Sequence, residues 1–444
     1  MGTRFDLLVR GGTVVSSAGT ERADVGVSGG KVLAVGDLAD AEASDVLDAV
    51  GLHVLPGVID TQVHFREPGL THKEDIEHGS LSAVMGGVTT YFEMPNTDPP
   101  TTTQDALADK LERANQTSWA NYAFFIGASG SNVEGLAELE MLPGTPGVKI
   151  FAGSSTGTLL VEDEELLRQV LLNGRRPCPV HSEDEARLRE RKLLLSDEPH
   201  VREHAFVRDA ETARKSTERM VRLCRETGRP VHILHVSTLD ELPILREAKQ
   251  SGLPITCEAT PQHLTFTDKD YEALGTLVQM NPPIRSEEHG LAIWDALEKG
   301  LFDVFGSDHA PHTMEEKSQP YPKSPSGMPG VQTMLPVLLD FCSRDRLTLG
   351  QVVAMTSERP AELYGVRGKG RIAVGFDADL AIVDLSATLH VTNDWIKSKS
   401  GWSPFSGRAL KGSPVHTVVQ GHLAVKDGQP SAAHKGRIVG FDWK

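Results

Sequence analysis

A short polar segment that carries chemically capable side chains, Asp60-Thr61-Gln62-Val63-His64-Phe65-Arg66-Glu67-Pro68-Gly69, follows the apolar run Val54-Leu55-Pro56-Gly57-Val58-Ile59. The apolar run predicts a β-strand, on which alternate side chains point to the same side. Gln62, His64 and Arg66 are therefore predicted to project together. An imidazole and a guanidinium that face one pocket indicate a metal site and an anionic substrate.

Seven further apolar runs rich in β-branched residues follow, and charged stretches of helical length separate them. The eight runs cover residues 54–64, 88–94, 122–126, 148–151, 179–181, 231–236, 255–258 and 304–307. This alternation predicts an α/β protein built on a (β/α)8 TIM-like barrel, whose active site lies at the C-terminal ends of its strands.

Both ends of the chain have a different texture, in which short β-like runs alternate with glycine turns. These runs cover residues 5–10, 13–15, 25–27, 31–35, 371–375, 379–383 and 415–419. We expect residues 1–53 and 370–444 to pair into one small β-sandwich domain and residues 54–369 to form the barrel.

Residues with metal-binding chemistry lie on or at the ends of five of the eight runs. They are His64, Lys149, His181, His235 and Asp308. A catalytic divalent site needs a few imidazole and carboxylate ligands and an open position. A lysine whose pKa burial depresses can take up carbon dioxide and present a carbamate instead of an ammonium. Taken singly, Lys149 could instead pair with a carboxylate. The side chain of His232 is expected to point to the opposite side of its strand from that of His235, and we interpret His232 as a core residue.

The segment at residues 60–69 resembles the D-x-H-x-H-x-R-x-P-G signature of dihydroorotases, members of the amidohydrolase superfamily, with Gln62 where the family has its first histidine. The resemblance implies that Lys149 is an N6-carboxylysine. One Zn²⁺ ion would lie among this carbamate, His181 and His235, and a second among His64, the same carbamate and Asp308. A neutral amide oxygen is a weaker zinc ligand than imidazole. We therefore expect Gln62 to be a weak ligand or none, and one or two Zn²⁺ per chain with a weak second site.

The resemblance extends to residues that would bind the substrate. It implies that Arg66, Asn96 and His312 hold a carboxylate, and that Asn281 hydrogen-bonds the pyrimidine ring. Alone, Asn96 could be a turn cap beside proline, Arg66 could form a surface salt bridge and His312 a loop hydrogen bond. Their joint occurrence in the family's order favours the substrate role.

The activity implied by this resemblance is that of a dihydroorotase, the reversible hydrolysis of dihydroorotate to N-carbamoyl-aspartate in pyrimidine biosynthesis. Asp308 would act first as general base on the attacking water and then as general acid towards the departing ring nitrogen. Two alternatives stay open. One is a related cyclic amidase of the hydantoinase or allantoinase type, and the other is a catalytically impaired, dihydroorotase-like structural protein.

Composition limits the possible partners. The chain has 444 residues, a net charge of −16 and a mean hydropathy of −0.24. This acidic balance argues against nucleic acid and against an anionic membrane surface, and a small-molecule substrate fits better.

No apolar run approaches the ~20 residues that span a bilayer, and the four cysteines are scattered, so we expect reduced thiols and a cytoplasmic location. We further expect a homo-oligomer, a dimer or tetramer.

Overall fold

The computed structural model describes residues 4–155, 157–431 and 436–442. The strands within these residues are β1 (Arg4–Ser16), β2 (Gly19–Ser28), β3 (Lys31–Gly36), β4 (Glu42–Asp48), β5 (His53–Pro56), β6 (Val58–Val63), β7 (Val88–Glu93), β8 (Asn121–Phe124), β9 (Ile126–Gly127), β10 (Val148–Phe151), β11 (Cys178–His181), β12 (Val231–Ile233), β13 (Ile255–Ala259), β14 (Val304–Phe305), β15 (Leu380–His390), β16 (Ala409–Val419), β17 (His422–Lys426) and β18 (Gln429–Pro430).

The α-helices within the same residues are α1 (Ile76–Met85), α2 (Gln104–Thr117), α3 (Leu136–Leu139), α4 (Glu164–Leu172), α5 (Glu185–Lys192), α6 (Glu203–Val207), α7 (Ala210–Thr227), α8 (Glu241–Gln250), α9 (Pro261–Thr265), α10 (Tyr271–Leu274), α11 (Glu287–Glu298), α12 (Met314–Lys317), α13 (Met334–Ser343), α14 (Leu349–Val353) and α15 (Arg359–Tyr364). The longest of them, α7, shows why these boundaries form. Asp209 accepts a hydrogen bond from the Thr212 N–H at its start, and Gly228 ends it with a φ of 72°.

Eight parallel runs form the predicted barrel. β6, β7 and β8 pair in one arc, and β9 to β14 pair in chain order in a second. Only Phe125 separates β8 from β9, so these two strands are one barrel position. The ring closes between β6 and the segment after β14, where the His64 N–H donates to the His309 carbonyl at 2.7 Å. The (β/α)8 fold class is confirmed.

Strands from both ends of the chain form one nine-stranded sheet beside the barrel. The order is β18-β17-β16-β15-β5-β1-β2-β3, and β4 pairs with β1. The antiparallel contact between β5 and β15 joins the two ends of the sequence. The sheet folds around its own cluster of buried side chains, among them Val9, Val27 and Ile382. The predicted pairing of the two terminal β segments is therefore observed, within one continuous hydrogen-bonded sheet.

Two predicted strands differ from the structure. Residues 54–64 are not one strand, because β5 belongs to the nine-stranded sheet and β6 to the barrel. Gly57 separates them, donates its N–H to the Asp379 carbonyl at 2.8 Å, and leaves room for Thr89, whose hydroxyl a Cβ would approach to 2.1 Å. Residues 371–375 form a turn instead of a strand, with Gly375 at a φ of 89° and a Phe376 N–H to Ala373 carbonyl bond of 3.0 Å.

Within the described ranges, no helix is both long and apolar enough to cross a membrane. All four cysteines lie in those ranges and none forms a disulfide.

Candidate metal and substrate site

A cleft opens at the C-terminal ends of the barrel strands. Its walls carry most of the residues that the sequence singled out, although these residues are far apart along the chain. The lining residues are Gln62, His64, Arg66, Asn96, Lys149, Phe151, Ser155, His181, His235, Asn281, Asp308, Ala310, Ser326 and Gly327. Polar side chains that converge in a concave site at this end of a barrel are typical of an active site.

His181 and His235 form one pair of possible ligands. His181 Nδ1 and His235 Nε2 are 3.1 Å apart, close to the ~3.3 Å that separates two nitrogens on one tetrahedral zinc ion with bonds of about 2.0–2.1 Å. On the other side of the His181 ring, Nε2 donates to Glu183 Oε2 at 2.9 Å. This bond fixes the tautomer and leaves the Nδ1 lone pair directed towards His235. Burial lowers the pKa of both imidazoles, so both are neutral, as metal ligands must be.

His64 and Asp308 form a second pair. His64 Nδ1 donates to Asn96 Oδ1 at 2.7 Å, so Nε2 carries the lone pair, and Nε2 lies 3.4 Å from Asp308 Oδ1. The Gln62 amide donates to the same Asp308 oxygen at 2.9 Å. Gln62 Oε1 is buried and has no hydrogen-bond partner among the described residues. Burial raises the pKa of Asp308 to about 7, against the opposing charge of Lys149. At this pKa the carboxyl group can both accept and release a proton near neutrality.

Lys149 lies on β10 with its side chain buried in the cleft wall. Its charge acts on the members of both pairs, His64, Asp308, His181 and His235. Burial lowers the pKa of its amine to about 7, although Asp308 and Glu258 favour the charged form. Its Nζ lies 4.7 Å from the centroid of the Phe151 ring. A substantial fraction of such an amine is neutral at pH 7, and the neutral amine is the form that reacts with carbon dioxide.

Arg66 brings a buried guanidinium to the cleft. Its Nε donates to the Pro311 carbonyl at 3.2 Å, and its Nη1 is buried without a hydrogen-bond partner among the described residues. Burial lowers the pKa of this guanidinium to about 10, which still leaves it charged at neutral pH. A buried, charged donor that faces a cleft and lacks a protein partner is suited to bind a carboxylate. Asn96 lines the same cleft and is held by its bond to His64.

Asn281 and His312 are placed differently. Asn281 lines the cleft, and its Oδ1 lies 3.0 Å from His204 Nε2. His312 lies behind the cleft wall instead of on it. Its Nδ1 accepts from Lys73 Nζ at 3.2 Å and its Nε2 donates to the Ser326 carbonyl at 3.0 Å. Both ring nitrogens are thus used within the protein, so His312 supports the Arg66 and Ser326 walls in this conformation.

The backbone is strained at three of these residues. Arg66, His235 and Asp308 have φ values of 64°, 36° and 42°, in the left-handed region that L-residues rarely adopt. Each such conformation costs about 1–2 kcal/mol, and residues of this kind cluster at functional sites. The strain places side chains that follow three different strands into one cleft.

The fit of a metal depends on a carbamate at Lys149. Within residues 4–155, 157–431 and 436–442, no three histidine, cysteine, aspartate or glutamate side chains converge on one point closely enough to hold an ion. The donors instead form two pairs, His181 with His235 and His64 with Asp308. A carbamate on Lys149 would add carboxylate-type oxygens to this cleft, and Gln62 Oε1, which has no hydrogen-bond partner among the described residues, is a further buried acceptor. With this addition the donor set fits divalent zinc.

Sequence reasoning missed two residues that support this site, Glu183 and Arg208. Glu183 lies two positions after His181, so the alternation of side chains along a strand was a signal for it. Arg208 forms an ion pair with Glu183, and nothing in the local sequence indicates a contact across that distance. Burial disfavours the Glu183 carboxylate, but Arg208 outweighs this effect and lowers the pKa of Glu183 to about 2.

Comparison with known proteins agrees with this fold. Residues 195–424 match the model of the amidohydrolase family, and residues 51–142 match a model described as dihydro-orotase-like. A dihydroorotase of Methanosarcina mazei is 35% identical over 414 residues, which cover 90% of each chain. An allantoinase of Desulfitobacterium hafniense is 32% identical over 449 residues, covering 97% of this chain and 99% of that protein. The solved structure of L-hydantoinase from Arthrobacter aurescens matches with a TM-score of 0.93 and 32% identity, covering 98% of this chain and 99% of that one.

These three relatives have different names and nearly equal identity, so the comparisons place the chain among cyclic amide hydrolases without selecting a substrate. The family model, the full-length relatives and the barrel with its cleft agree on the broader assignment: the chain belongs to the amidohydrolase family.

Proposed function

We propose that this protein is a metal-dependent dihydroorotase, which interconverts dihydroorotate and N-carbamoyl-aspartate in pyrimidine biosynthesis. The observation that carries the proposal is the Arg66 guanidinium, whose Nη1 is buried in the cleft wall and has no hydrogen-bond partner in the part of the chain that the structure describes. A buried charge of this kind is costly unless a ligand neutralises it. The substrate carboxylate of dihydroorotate would do so.

The same observation weighs against the two alternatives. Substrates of the hydantoinase and allantoinase type carry no carboxylate at this place, so they would leave the Arg66 charge unpaired. A structural protein without catalysis would have little use for two ordered pairs of buried ligands and a lysine of depressed pKa. The retention of Lys149, His181, His235 and Asp308 in one cleft supports an enzyme.

Zinc is the cofactor that we propose, held by His181, His235 and the Lys149 carbamate, with a weaker second site at His64, Asp308 and the same carbamate. When bound, the metal supplies Lewis-acid activation of water and of the amide carbonyl. Gln62 is the reason for the weaker second site, because its amide donates to Asp308 at 2.9 Å and occupies a carboxylate oxygen. An imidazole at this position would instead add a lone pair.

The protein residues then perform the remaining steps. Arg66 and Asn96 hold the carboxylate and so orient the ring with its amide carbonyl towards the metal-binding end of the cleft. Asp308 accepts the proton of the attacking water as the new C–O bond forms. It returns that proton to the ring nitrogen as the C–N bond breaks, which gives the ureido group of N-carbamoyl-aspartate. A carboxyl pKa near 7 suits both halves of this transfer.

A substrate panel tests the proposal. Protein of measured metal content is assayed with dihydroorotate, hydantoin, allantoin and dihydrouracil under one set of conditions. We expect dihydroorotate to have the highest kcat/KM. A higher kcat/KM for hydantoin or allantoin would assign the alternative activity, and no hydrolysis of any substrate by zinc-loaded protein would favour the structural role.

Metal stoichiometry tests the proposed inequality of the two zinc positions. Chelator-washed protein is titrated with zinc, and its metal content is measured by mass spectrometry alongside Gln62→His. We expect about one tightly held zinc per chain in the natural protein and a second in Gln62→His, because the added imidazole completes the His64 position. Two tightly held ions in the natural protein would refute the role given to Gln62.

A further inference from the structure

A buried arginine links the proposed metal site to the part of the cleft wall that follows the neighbouring strand β10. Arg208 lies between α6 and α7, and its side chain is almost fully buried. One arm of its guanidinium, Nη1, forms an ion pair with Glu183 Oε2, and the other, Nη2, donates to the Ser154 carbonyl at 2.6 Å. The planar fork of arginine can hold two acceptors in fixed relative positions, which a lysine ammonium cannot do.

The first arm leads to a proposed metal ligand. Glu183 is fully buried, and the oxygen that contacts Arg208 also accepts the His181 Nε2–H at 2.9 Å. Arg208 therefore holds the Glu183 carboxylate in place, and this carboxylate in turn sets the orientation of the His181 imidazole. Partners of this type orient a ligating histidine and increase the basicity of its other nitrogen.

The second arm leads to the wall after β10. Both backbone polar groups of Ser154 are hydrogen-bonded. Its N–H donates to Glu185 Oε2 at 2.6 Å, and its carbonyl accepts from Arg208. The next residue, Ser155, lines the cleft. The position of this wall thus depends on the same guanidinium as the orientation of His181.

Arg208 is itself held in place from a third direction. Its backbone carbonyl accepts from Arg285 Nη1 at 2.7 Å, and Arg285 Nε donates to Ser237 Oγ at 3.1 Å. Ser237 follows His235 by two residues, so this chain of contacts returns to the second histidine of the pair. The network therefore contacts His181 through Glu183 and reaches the segment that follows His235.

We propose that Glu183 and Arg208 are positioning residues, which hold His181 ready for metal and tie its orientation to the cleft wall at Ser154–Ser155. This inference rests on the proposed metal site and is independent of the choice of dihydroorotate as substrate. It predicts that breaking the pair weakens metal binding and disturbs substrate binding together, although neither side chain lines the cleft.

The test compares metal affinity in Glu183→Gln with that in a matched control. Glu140 and Arg229 form another fully buried ion pair, and Arg229 Nε donates to the Arg176 carbonyl, just before β11 and so at the opposite end of that strand from His181. Glu140→Gln therefore removes the same kind of charge without touching the site. The zinc dissociation constant is measured by chelator competition for the natural protein and both variants, and the Tm is measured with and without zinc.

We expect Glu183→Gln to raise the zinc dissociation constant about 10–100-fold and to shrink the zinc-dependent rise in Tm. Glu140→Gln should lower the Tm of zinc-free protein while its zinc dissociation constant stays within about twofold of the natural value, since it breaks a buried pair remote from the ligands. A zinc dissociation constant of Glu183→Gln that also stays within twofold would overturn the inference and leave the pair a purely structural role.

Arg208→Lys keeps the test decisive if Glu183→Gln does not fold. It retains the cation but loses the two-armed geometry, so we expect weaker zinc binding together with a raised KM. Unchanged zinc affinity and KM in folded Arg208→Lys would contradict the inference. Failure of the natural protein to bind zinc would remove the proposed metal site itself, whereas normal zinc binding without dihydroorotate turnover would count only against the substrate assignment.

Discussion

Substitution of Arg66 by methionine is the sharpest test of the substrate assignment. Methionine keeps an unbranched apolar stem of similar path and removes the guanidinium, and the left-handed backbone at this position is equally strained for both residues. The change should therefore remove the carboxylate partner with little change in the shape of the cleft wall.

The expected magnitude follows from the contacts of Arg66. Nε is already used by the Pro311 carbonyl, while Nη1 is unpartnered and Nη2 lies 3.4 Å from His312 Nε2. Two charge-assisted hydrogen bonds to a carboxylate are thus available, each worth about 1.5–3 kcal/mol. We expect a loss of about 3–6 kcal/mol, or a fall of about two hundred to twenty-five thousand in kcat/KM for dihydroorotate, chiefly through KM.

Dihydrouracil is the matched control substrate, because it has the same ring without the carboxylate. The ratio of kcat/KM for dihydroorotate to that for dihydrouracil is measured for natural protein and for Arg66→Met. This ratio should fall sharply in Arg66→Met. The ratio for Arg66→Lys should lie between that of the natural protein and that of Arg66→Met. If Arg66→Met keeps its KM for dihydroorotate, the carboxylate does not bind at Arg66 and the substrate assignment is wrong.

Three further predictions concern catalysis, lysine modification and the cleft wall. Asp308→Asn should lower kcat by about 10²–10⁴ while metal content stays near the natural value, and a near-normal kcat would remove Asp308 from the proton transfer. With the pKa of Lys149 at about 7, its neutral fraction rises from about a tenth at pH 6 to about nine tenths at pH 8. Carbon dioxide at fixed dissolved concentration, supplied together with zinc, should therefore restore activity to metal-free, decarboxylated protein faster at pH 8, and an equal rate at both pH values would contradict this. Lys317 Nζ donates to three carbonyls, including Gly327 in the cleft wall at 2.9 Å. Lys317→Met should lower the free energy of unfolding, measured in urea, by about 3 kcal/mol or more, and unchanged stability would show that these bonds contribute little.

Most of the fold follows from local patterns in the sequence. The eight apolar runs are separated by helical stretches, and strands buried on both faces, such as β10 and β11, leave an unbroken apolar signal. The junction at Gly57 was not predictable, because β5 and β6 form one apolar run and separate only through partners on distant strands. The turn at residues 371–375 was missed for a related reason, since the β-branched residues there resemble a strand, although Val374 is exposed in the turn.

The sequence predicted which residues line the cleft better than it predicted how they are arranged there. Gln62, His64 and Arg66 were expected to share a face by strand alternation, yet β6 ends at Val63. His64 and Arg66 reach the cleft through the ring closure at His309 and the left-handed turn at Arg66. The tautomer of His181 and the position of His312 behind the wall depend on Glu183, Arg208 and Lys73, which are distant in sequence or carry no motif.

The closure of the ring between β6 and the segment after β14 also determines when the protein can become active during its synthesis. Gln62 and Asp308 are 246 residues apart, which a ribosome adding about 5–20 residues per second needs about 12–50 s to span. During that interval the nascent chain contains an arginine and a histidine whose contacts in the folded protein have not yet formed. The first arc of strands also exposes unpaired strand edges. Assembly of the cleft should therefore wait for synthesis of the segment after β14, and a product truncated before Asp308 would lack this side of the cleft.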